Sequence, residues 1–531
     1  MLIKKKFEIL FLSILIIYCF YCFLQFGRTW DILFHYELGK DRLDYLFSFG
    51  KNKVDNNLLN NKYYPGAYNT ILAFLVQIFP RNFTLQSIYS INFLFSVFTL
   101  VGISKISREL FNKNIGKITF LICFLNPIFF GHMAMNSIDT IIAFSYIWFL
   151  YLIIKYLKNS QNQKKRNSYT LLAALCLGLG VGTRNSFIVT LVPIFIFLFL
   201  EIFYFKIFIK NNFNKKIFFL DCIKVLIISY LFMVFFWPQT HVNILLMPLK
   251  LAVEGISWGW GAPMVLFNGH TVLTETISKS YILINLFYKM PEFVIVGFFI
   301  MIIFFPQISK YFKKTIKGFN FKIFSIILII IFPNFLIFFS PYGFYDGLRL
   351  VLYIIPFVSI ISSILIYYFF KNIKSLISKI SFYFLLVLKF FFIINFLSMT
   401  PFHYTYLNFF AGKYEENEKK FENDYWGIST KKLVSKFKNF DKNKEVKIAT
   451  CGLPEGPQED YLKKVKGLKF KMVNKNDDFD YIIMNNRIAW DIGTNLSIPR
   501  KIKTCYQKYD GEDVVKIKKR GLIISKITKR N

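Results

Sequence analysis

The sequence predicts an all-α polytopic membrane protein of about eleven transmembrane helices, carrying a small C-terminal extracytoplasmic α/β domain. Three observations lead there. The 531 residues are 55% apolar and 20% aromatic, with 67 Phe, and the mean hydropathy is +0.43. Soluble chains average about 45–50% apolar residues and carry much less Phe. Apolar runs close to the roughly 20 residues that cross a bilayer recur along the chain. After residue 400 the composition turns polar, and short stretches of period-two alternation appear.

The runs fall at 7–26, 84–104, 117–131, 138–157, 169–183, 187–205, 217–236, 288–306, 323–340, 350–370 and 380–398. The stretch 66–80 is shorter and bounded by Pro65 and Pro80, so it reads as a re-entrant or interfacial helix. The first run follows Lys4, Lys5 and Lys6 and reads as a retained helix, because no small-x-small cleavage site follows it.

Orientation follows from the basic residues of the short loops. With the N-terminus inside, the cytoplasmic loops hold Lys105, Arg108, Lys113 and Lys117, then Lys155, Lys158, Lys164, Lys165 and Arg166. Later ones hold Lys206, Lys210, Lys215 and Lys216, then Lys310, Lys313, Lys314, Lys317 and Lys322, then Lys371, Lys374 and Lys379. The opposite loops around 131–137 and 341–348 hold none, and 237–285 holds only Lys250 and Lys279. This pattern accounts for much of the net charge of +35 without nucleic acid. An odd helix count places 28–83, 237–285 and the tail on the outer face. The organisation is then a transmembrane domain over 1–400, a connector over 401–440 and an extracytoplasmic α/β domain over 441–531. In the last, Val446–Thr450, Tyr481–Met484 and Gly521–Ile527 read as strands, and Gly452–Lys466 as a loop and helix. No internal repeat is visible, which argues against a transporter built from repeated halves.

Five cysteines, Cys19, Cys22, Cys123, Cys176 and Cys222, fall in apolar runs as small hydrophobes. None has metal-ligand spacing. Cys451 and Cys505 lie in the tail, in a compartment where disulfides persist. Spacing alone leaves a bridge and two separate thiols equally open.

Polar residues gather at the outer ends of the runs. Thr29–Gly39, TWDILFHYELG, sets Asp31 and His35 just past the first helix, either in a solvated loop or at a site where charge near lipid is kept for use. NPIFFGHMAMNSID contains His132 and Asp139, the latter placed to complement a helix dipole or to serve a site. In GLGVGTRN the glycines allow close helix packing, and Arg184 either snorkels to headgroups or grips phosphate with its fork. WGWGAPMVLFNGH reads as an aromatic belt or a structured loop over a cavity, ending at His270. Lys289, Pro291 and Glu292 open the next helix. SPYGFYDGLR brings Asp346 and Arg349 to one helical turn's separation, as an ion pair worth little if exposed or as an anion site at a helix start. FENDYWGIS reads as an aromatic interfacial segment without a catalytic role.

The order WDxxxHxxxG, PxFFGHxxxNxxD, GxxxGxRxx, WGxxVLFNG, KxP, YDGLR, FExDYWGxS resembles the polyprenol-phosphate-dependent, family 39-like bacterial membrane glycosyltransferases of the GT-C superfold. It covers about residues 28–430. The resemblance implies transfer of a sugar from a polyprenyl-phosphate donor to a lipid, glycan or protein acceptor, on the outer face of the cytoplasmic membrane. It implies Asp31 as catalytic base, with His35 and Asp139 orienting the reactants. Arg349, Arg184 and Lys289 are then the phosphate ligands, with His132, Asp346 and His270 as further substrate contacts. No cofactor is demanded and no metal ligand assigned, though a divalent cation is admitted. The sequence departs from the family in places. Ile32 and Leu33 stand where the family has Glu and Pro. Ser137 and Ile138 break Asn-Pro-Lys-Asp, Leu350 replaces a His, and His270 replaces an acid. The rival reading is a polytopic transporter or flippase of lipid-linked sugars, which would place ionisable groups near the bilayer midplane. Here the runs are nearly free of them, with Glu201 and Asp221 towards cytoplasmic ends.

Overall fold

The computed structural model describes residues 2–54, 61–210, 212–257, 263–339, 343–490 and 502–530. Trp258–Ala262 of the long outer loop, Ser340–Tyr342 of the later turn, and the side chains of Lys4, Lys5 and Lys6 lie outside the described residues.

Every apolar run is helical, but fewer helices than eleven are long and apolar enough to cross a membrane. Among the described residues seven are: Arg81–Leu110, Asp139–Asn159, Phe187–Phe205, Lys215–Phe235, Phe319–Phe339, Arg349–Lys371 and Leu376–Ser398. An eighth arises if Tyr281–Lys289 and Glu292–Ile303, bent by 115° at Met290–Pro291, count as one span. Local chemistry explains the shortfall. The run 117–131 is cut at Asn126–Pro127. Lys113–Phe124 ends there, and a new helix, Pro127–His132, starts with Pro at its first turn and the Asn126 side chain accepting from the Ile128 and Phe129 N–H groups. The 12 residues before the break span about 18 Å, short of the roughly 30 Å core. The run 169–183 sits in Gln163–Thr183, whose first turn is QKKR.

The outer stretches are ordered by close backbone packing. Ile32–Phe47 is a helix, with Asp31 at its N-cap position, and the run 66–80 yields the short helix Ala67–Val76. The two meet at Gly39, where a Cβ would come within 2.0 Å of the Asn69 carbonyl oxygen. His35, one turn earlier on that face, sits with Nδ1 3.3 Å from Asn69 Nδ2.

One hairpin and one five-stranded sheet complete this half of the molecule. Strands β1 (Met264–Phe267) and β2 (His270–Leu273) pair antiparallel. Asn268 and Gly269 between them have φ of 49° and 86°, the conformation that Asn-Gly favours in a two-residue hairpin. The tail holds β3 (Val446–Cys451), β4 (Phe470–Met472), β5 (Tyr481–Met484), β6 (Glu512–Lys519) and β7 (Leu522–Lys529), in the order β4-β3-β5-β7-β6. β3 is parallel to β4 and β5, whereas β7 is antiparallel to β5 and β6. β3, β5 and β7 coincide with the sequence expectation. β6 escaped it because EDVVKIKK is mostly charged, as a half-exposed strand at the sheet edge can be. The helix expected in Gly452–Lys466 is Glu455–Leu462.

The sheet is fastened to the membrane half by buried polar contacts. Gly27 N–H donates to Ile428 O at 2.9 Å, and Arg28 N–H to the Tyr461 hydroxyl at 2.6 Å. Asn485 and Asn486, both fully buried, donate to Asp424 O at 2.9 Å and Phe421 O at 2.7 Å. Apolar packing runs on from the helices through Ile428, Leu433 and Val434 to Val446, Ile448 and Ile483 of the sheet.

Cys451 and Cys505 form a disulfide with their Cα atoms 5.8 Å apart, tying the end of β3 to the segment before β6. Non-reduced peptide mass spectrometry should therefore find the two as one cross-linked species. Replacing both by Ser should cost roughly 2–4 kcal/mol of tail stability. Complete alkylation without reductant would contradict the bridge.

The sidedness expected from the basic loops gives a second test. A cysteine replacing exposed Lys463 should react with an impermeant maleimide in intact cells, and one replacing exposed Lys317 should not. The reverse labelling would invert the topology.

Candidate active site

A cavity of about 530 Å³ lies between the helix ends and the sheet. Asp31 and His35 line it from the helix Ile32–Phe47 and its N-cap. Asp139 and Arg184 enter from two helix termini, Asp346 and Arg349 from the YDGLR turn, and Arg487 from the loop after β5. Trp30, Tyr64, Tyr345, Tyr425 and Trp426 supply aromatic walls.

Helix chemistry sets each charge. Asp139 opens the helix Asp139–Asn159, where the dipole favours an anion. Asn136 fixes it: Oδ1 accepts from the Asp139 N–H at 2.9 Å, and Nδ2 donates to Asp139 Oδ2 at 2.9 Å. Arg184 caps the C-terminus of Gln163–Thr183, where a cation is favoured. The YDGLR turn reverses through Asp346 and Gly347, with φ of 53° and 67°. Glycine takes the positive φ at 347 without strain, and its Cα faces the end of the Lys289 side chain.

The charges form an alternating chain. Arg184 Nη1 is 3.0 Å from Asp139 Oδ1, and Arg349 Nε is 3.8 Å from Asp139 Oδ2. Arg349 Nη1 is 3.1 Å from Asp346 Oδ2 and 4.0 Å from Asp31 Oδ2. Arg487 Nη2 is 3.4 Å from Asp346 Oδ1, and its Nε is 3.9 Å from Glu422 Oε2. Asp31 is 41% exposed at its side chain, against 4% for Asp139 and Asp346, so of these three it is the carboxylate open to a reactant. The Arg349 guanidinium lies over the Trp426 ring at 4.6 Å and the Tyr345 ring at 5.0 Å.

Burial tunes the groups around the chain. It lowers the His35 pKa, against Asp31, which raises it, so the ring is biased to its neutral form. Burial lifts the Glu422 carboxyl to about 7; Asp346 pushes the same way and Arg487 opposes. Asp424 is lifted to about 6 by burial, against hydrogen bonds from Ser429 and Tyr404. Asp424 also receives the Ile428 and Ser429 N–H groups at 3.1 Å, which makes it the structural hub of the DYWG turn.

The remaining sequence candidates sit elsewhere. His132 is fully buried behind the cavity wall: Nδ1 donates to Ile128 O at 2.7 Å, and Nε2 accepts from the Tyr425 hydroxyl at 3.0 Å. Lys289 is buried beside the YDGLR turn, 5.9 Å from the Phe421 ring centre. His270 is exposed on β2 and borders a separate surface depression with Lys503, Gln507 and Asp510. Conversely, Tyr425, Trp426 and Arg487 face the cavity without having been singled out. The aromatic pair lay in a segment read as interfacial, although its motif is among those that carry the resemblance. NNRIAW, which holds Arg487, offers no pattern that marks it.

A divalent cation does not fit here. Asp139, Asp346 and Asp31 each face a guanidinium, and among the described residues no group of three or more His, Cys, Asp or Glu side chains converges as a ligand set.

The chain shares its fold with a protein of known structure, and the cavity, with its row of guanidiniums and the exposed Asp31 carboxylate, lies within that fold. Residues 65–237 match the family model for dolichyl-phosphate-mannose-protein mannosyltransferase. ArnT from Cupriavidus metallidurans in its apo state superposes with a TM-score of 0.52 at 10% identity, covering 99% of this chain and 98% of that one. The same protein bound to undecaprenyl phosphate gives 0.49 at 10% identity, covering 98% of each chain. The archaeal oligosaccharyltransferase AglB from Archaeoglobus fulgidus, with an inhibitory peptide and a dolichol phosphate, gives 0.49 at 11% identity, over 89% of this chain and 69% of that one. No curated protein matches the chain.

Proposed function

We propose that this protein is a membrane glycosyltransferase of the GT-C superfold that takes a sugar from a polyprenyl-phosphate donor on the outer face of the cytoplasmic membrane, with Asp31 as base. The observation that supports this best is the contrast between Asp31, open to the cavity, and Arg349, which lies 4.0 Å away and holds two buried carboxylates. The leaving group is already an anion, so the reaction needs a base for the acceptor hydroxyl and cations for the departing phosphate. Asp31 removes the acceptor proton as the acceptor oxygen attacks the anomeric carbon and the bond to the phosphate oxygen breaks. Arg349 and Arg184 receive the phosphate, and Asp139 positions both guanidiniums. With Asn69 donating to Nδ1, neutral His35 keeps an Nε2–H to orient a sugar or acceptor hydroxyl. His132 acts on the site through Tyr425, and the aromatic walls suit a sugar ring.

A polyprenyl carrier is favoured by the motif order and by the lipid phosphate in the matched family's description. The basic loops favour an N-terminus inside and a tail outside. The transporter reading is less well supported, because the ionisable cluster sits at outer helix ends. Lys224, within Lys215–Phe235, and Lys389, within Leu376–Ser398, are exceptions, and neither lines the cavity. Lipid and glycan extracts from cells with and without the gene, compared by mass spectrometry, should differ by loss of one sugar modification. Loss of a lipid-linked precursor from the outer leaflet, with transfer intact, would favour the flippase instead.

A further inference from the structure

We propose that Arg487, from the C-terminal sheet domain, is a phosphate-binding residue of the active site, acting beside Arg349 with the Trp426 Nε1–H as a third donor. The inference rests on the lipid-phosphate donor reading above.

Charge balance motivates it. Arg349 alone faces three carboxylates, Asp31, Asp139 and Asp346. An incoming phosphate would meet net negative charge there. Arg184 compensates Asp139, and besides Arg349 the one guanidinium within 4.0 Å of Asp346 among the described residues is that of Arg487. Arg184, Arg349 and Arg487 together face Asp31, Asp139, Asp346 and Glu422. Removing Arg487 takes one cation from this row and leaves Asp346 with the Arg349 guanidinium alone, and uncompensated negative charge beside an incoming phosphate is costly.

Geometry supports the same assignment. The two oxygens of Asp346 hold the Arg349 and Arg487 guanidiniums side by side, at 3.1 and 3.4 Å. Arg487 Nη1 is committed to Tyr425 O at 3.1 Å, which aims the fork. Its carboxylate contacts of 3.4 and 3.9 Å are long for a charge-assisted hydrogen bond, leaving room to re-form around a phosphate. Trp426 Nε1 is buried with no hydrogen-bond acceptor, although its ring lies against Arg349 and lines the cavity. A buried indole N–H without a partner costs free energy unless a ligand supplies the acceptor. The tail disulfide bears on the same loop, because the Cys505 N–H donates to Arg487 O at 2.8 Å while Cys505 is bridged to Cys451. The sheet domain thereby completes the phosphate site.

The test uses the full-length protein in nanodiscs, with a long-chain polyprenyl phosphate and the matching polyprenol as probes. Wild type should bind the phosphate at least tenfold more tightly than the alcohol. Arg487→Ala should lower phosphate affinity at least tenfold and leave alcohol binding unchanged. Arg487→Lys should fall between, and Trp426→Phe, which keeps the ring and removes the N–H, should weaken the phosphate alone. A structural role for Arg487 would change both lipids together or neither. If Arg487→Ala does not fold, Arg487→Lys and Trp426→Phe carry the test. Phosphate binding within twofold of wild type in the folded variants would overturn the inference. Wild type that binds both lipids equally would overturn the donor reading, and this inference with it.

Discussion

Asp31→Asn should reduce sugar transfer by about 10²-fold or more while donor binding and folding persist. The substitution keeps size and shape and removes only the basic oxygen. Its structural cost should be small, because Asp31 is partly exposed and its contact with Arg349, at 4.0 Å, is the longest in the charge chain. Donor affinity should stay level or rise, since one negative charge leaves a cavity that receives a phosphate. Loss of turnover without loss of binding is what separates a base from a phosphate ligand. Asp44→Asn is the control: Asp44 lies on the same helix, Ile32–Phe47, is exposed, and does not line the cavity. Turnover assays with a lipid-phosphate sugar, paired with binding of the unglycosylated lipid phosphate, check both halves. Wild-type turnover by the Asp31 variant would remove it from the mechanism.

Much of this site could be read from the sequence because helix ends announce themselves. Asp31, Asp139, Arg184, Asp346 and Arg349 all stand at boundaries between apolar runs and loops, where a charge next to lipid draws notice. The structure brings these five into one cavity with His35. Arg487 has no such marker. It sits in a polar tail full of Lys and Arg, and it reaches the cavity only through the fold of the sheet and the hydrogen bonds of Asn485 and Asn486. His270 misleads for the complementary reason. It follows Asn-Gly in an outer loop beside motif residues, but the two-residue turn leaves it exposed on β2.

The helix count shows a second limit. Hydropathy located all eleven runs, and each is helical. It could not show that Asn126–Pro127 cuts one run, or that Met290–Pro291 bends another through 115°. Both breaks serve the site. The first leads through Pro127–His132 to Asn136 and Asp139, and the second places Lys289 beside Gly347 of the YDGLR turn. Irregular backbone at membrane depth is tolerated where it is buried in protein or faces a cavity. The departures from simple spans therefore fall where the chemistry is.

Arg349→Lys should weaken binding of a polyprenyl phosphate by about tenfold or more, roughly 1.4 kcal/mol, although the charge is retained. A lysine offers a point charge in place of a planar fork. Arg349 uses that fork to face Asp31, Asp139 and Asp346 while its plane rests on Trp426. An ammonium cannot make these contacts together, nor stack on the ring in the same way. Arg349→Ala should go further in two respects. Donor affinity should fall below that of the lysine variant, and folding stability should drop by about 3–5 kcal/mol, because buried Asp139 and Asp346 lose a partner. Combining Arg349→Ala with Asp346→Asn should recover part of the stability but none of the donor affinity, since it removes an uncompensated charge without restoring a phosphate ligand. Lipid-phosphate binding and thermal unfolding of the three variants separate the two roles. If binding is indifferent to Arg349→Lys and Arg349→Ala while stability falls as stated, Arg349 serves only to neutralise its carboxylates, and the phosphate must be held by Arg184 and Arg487.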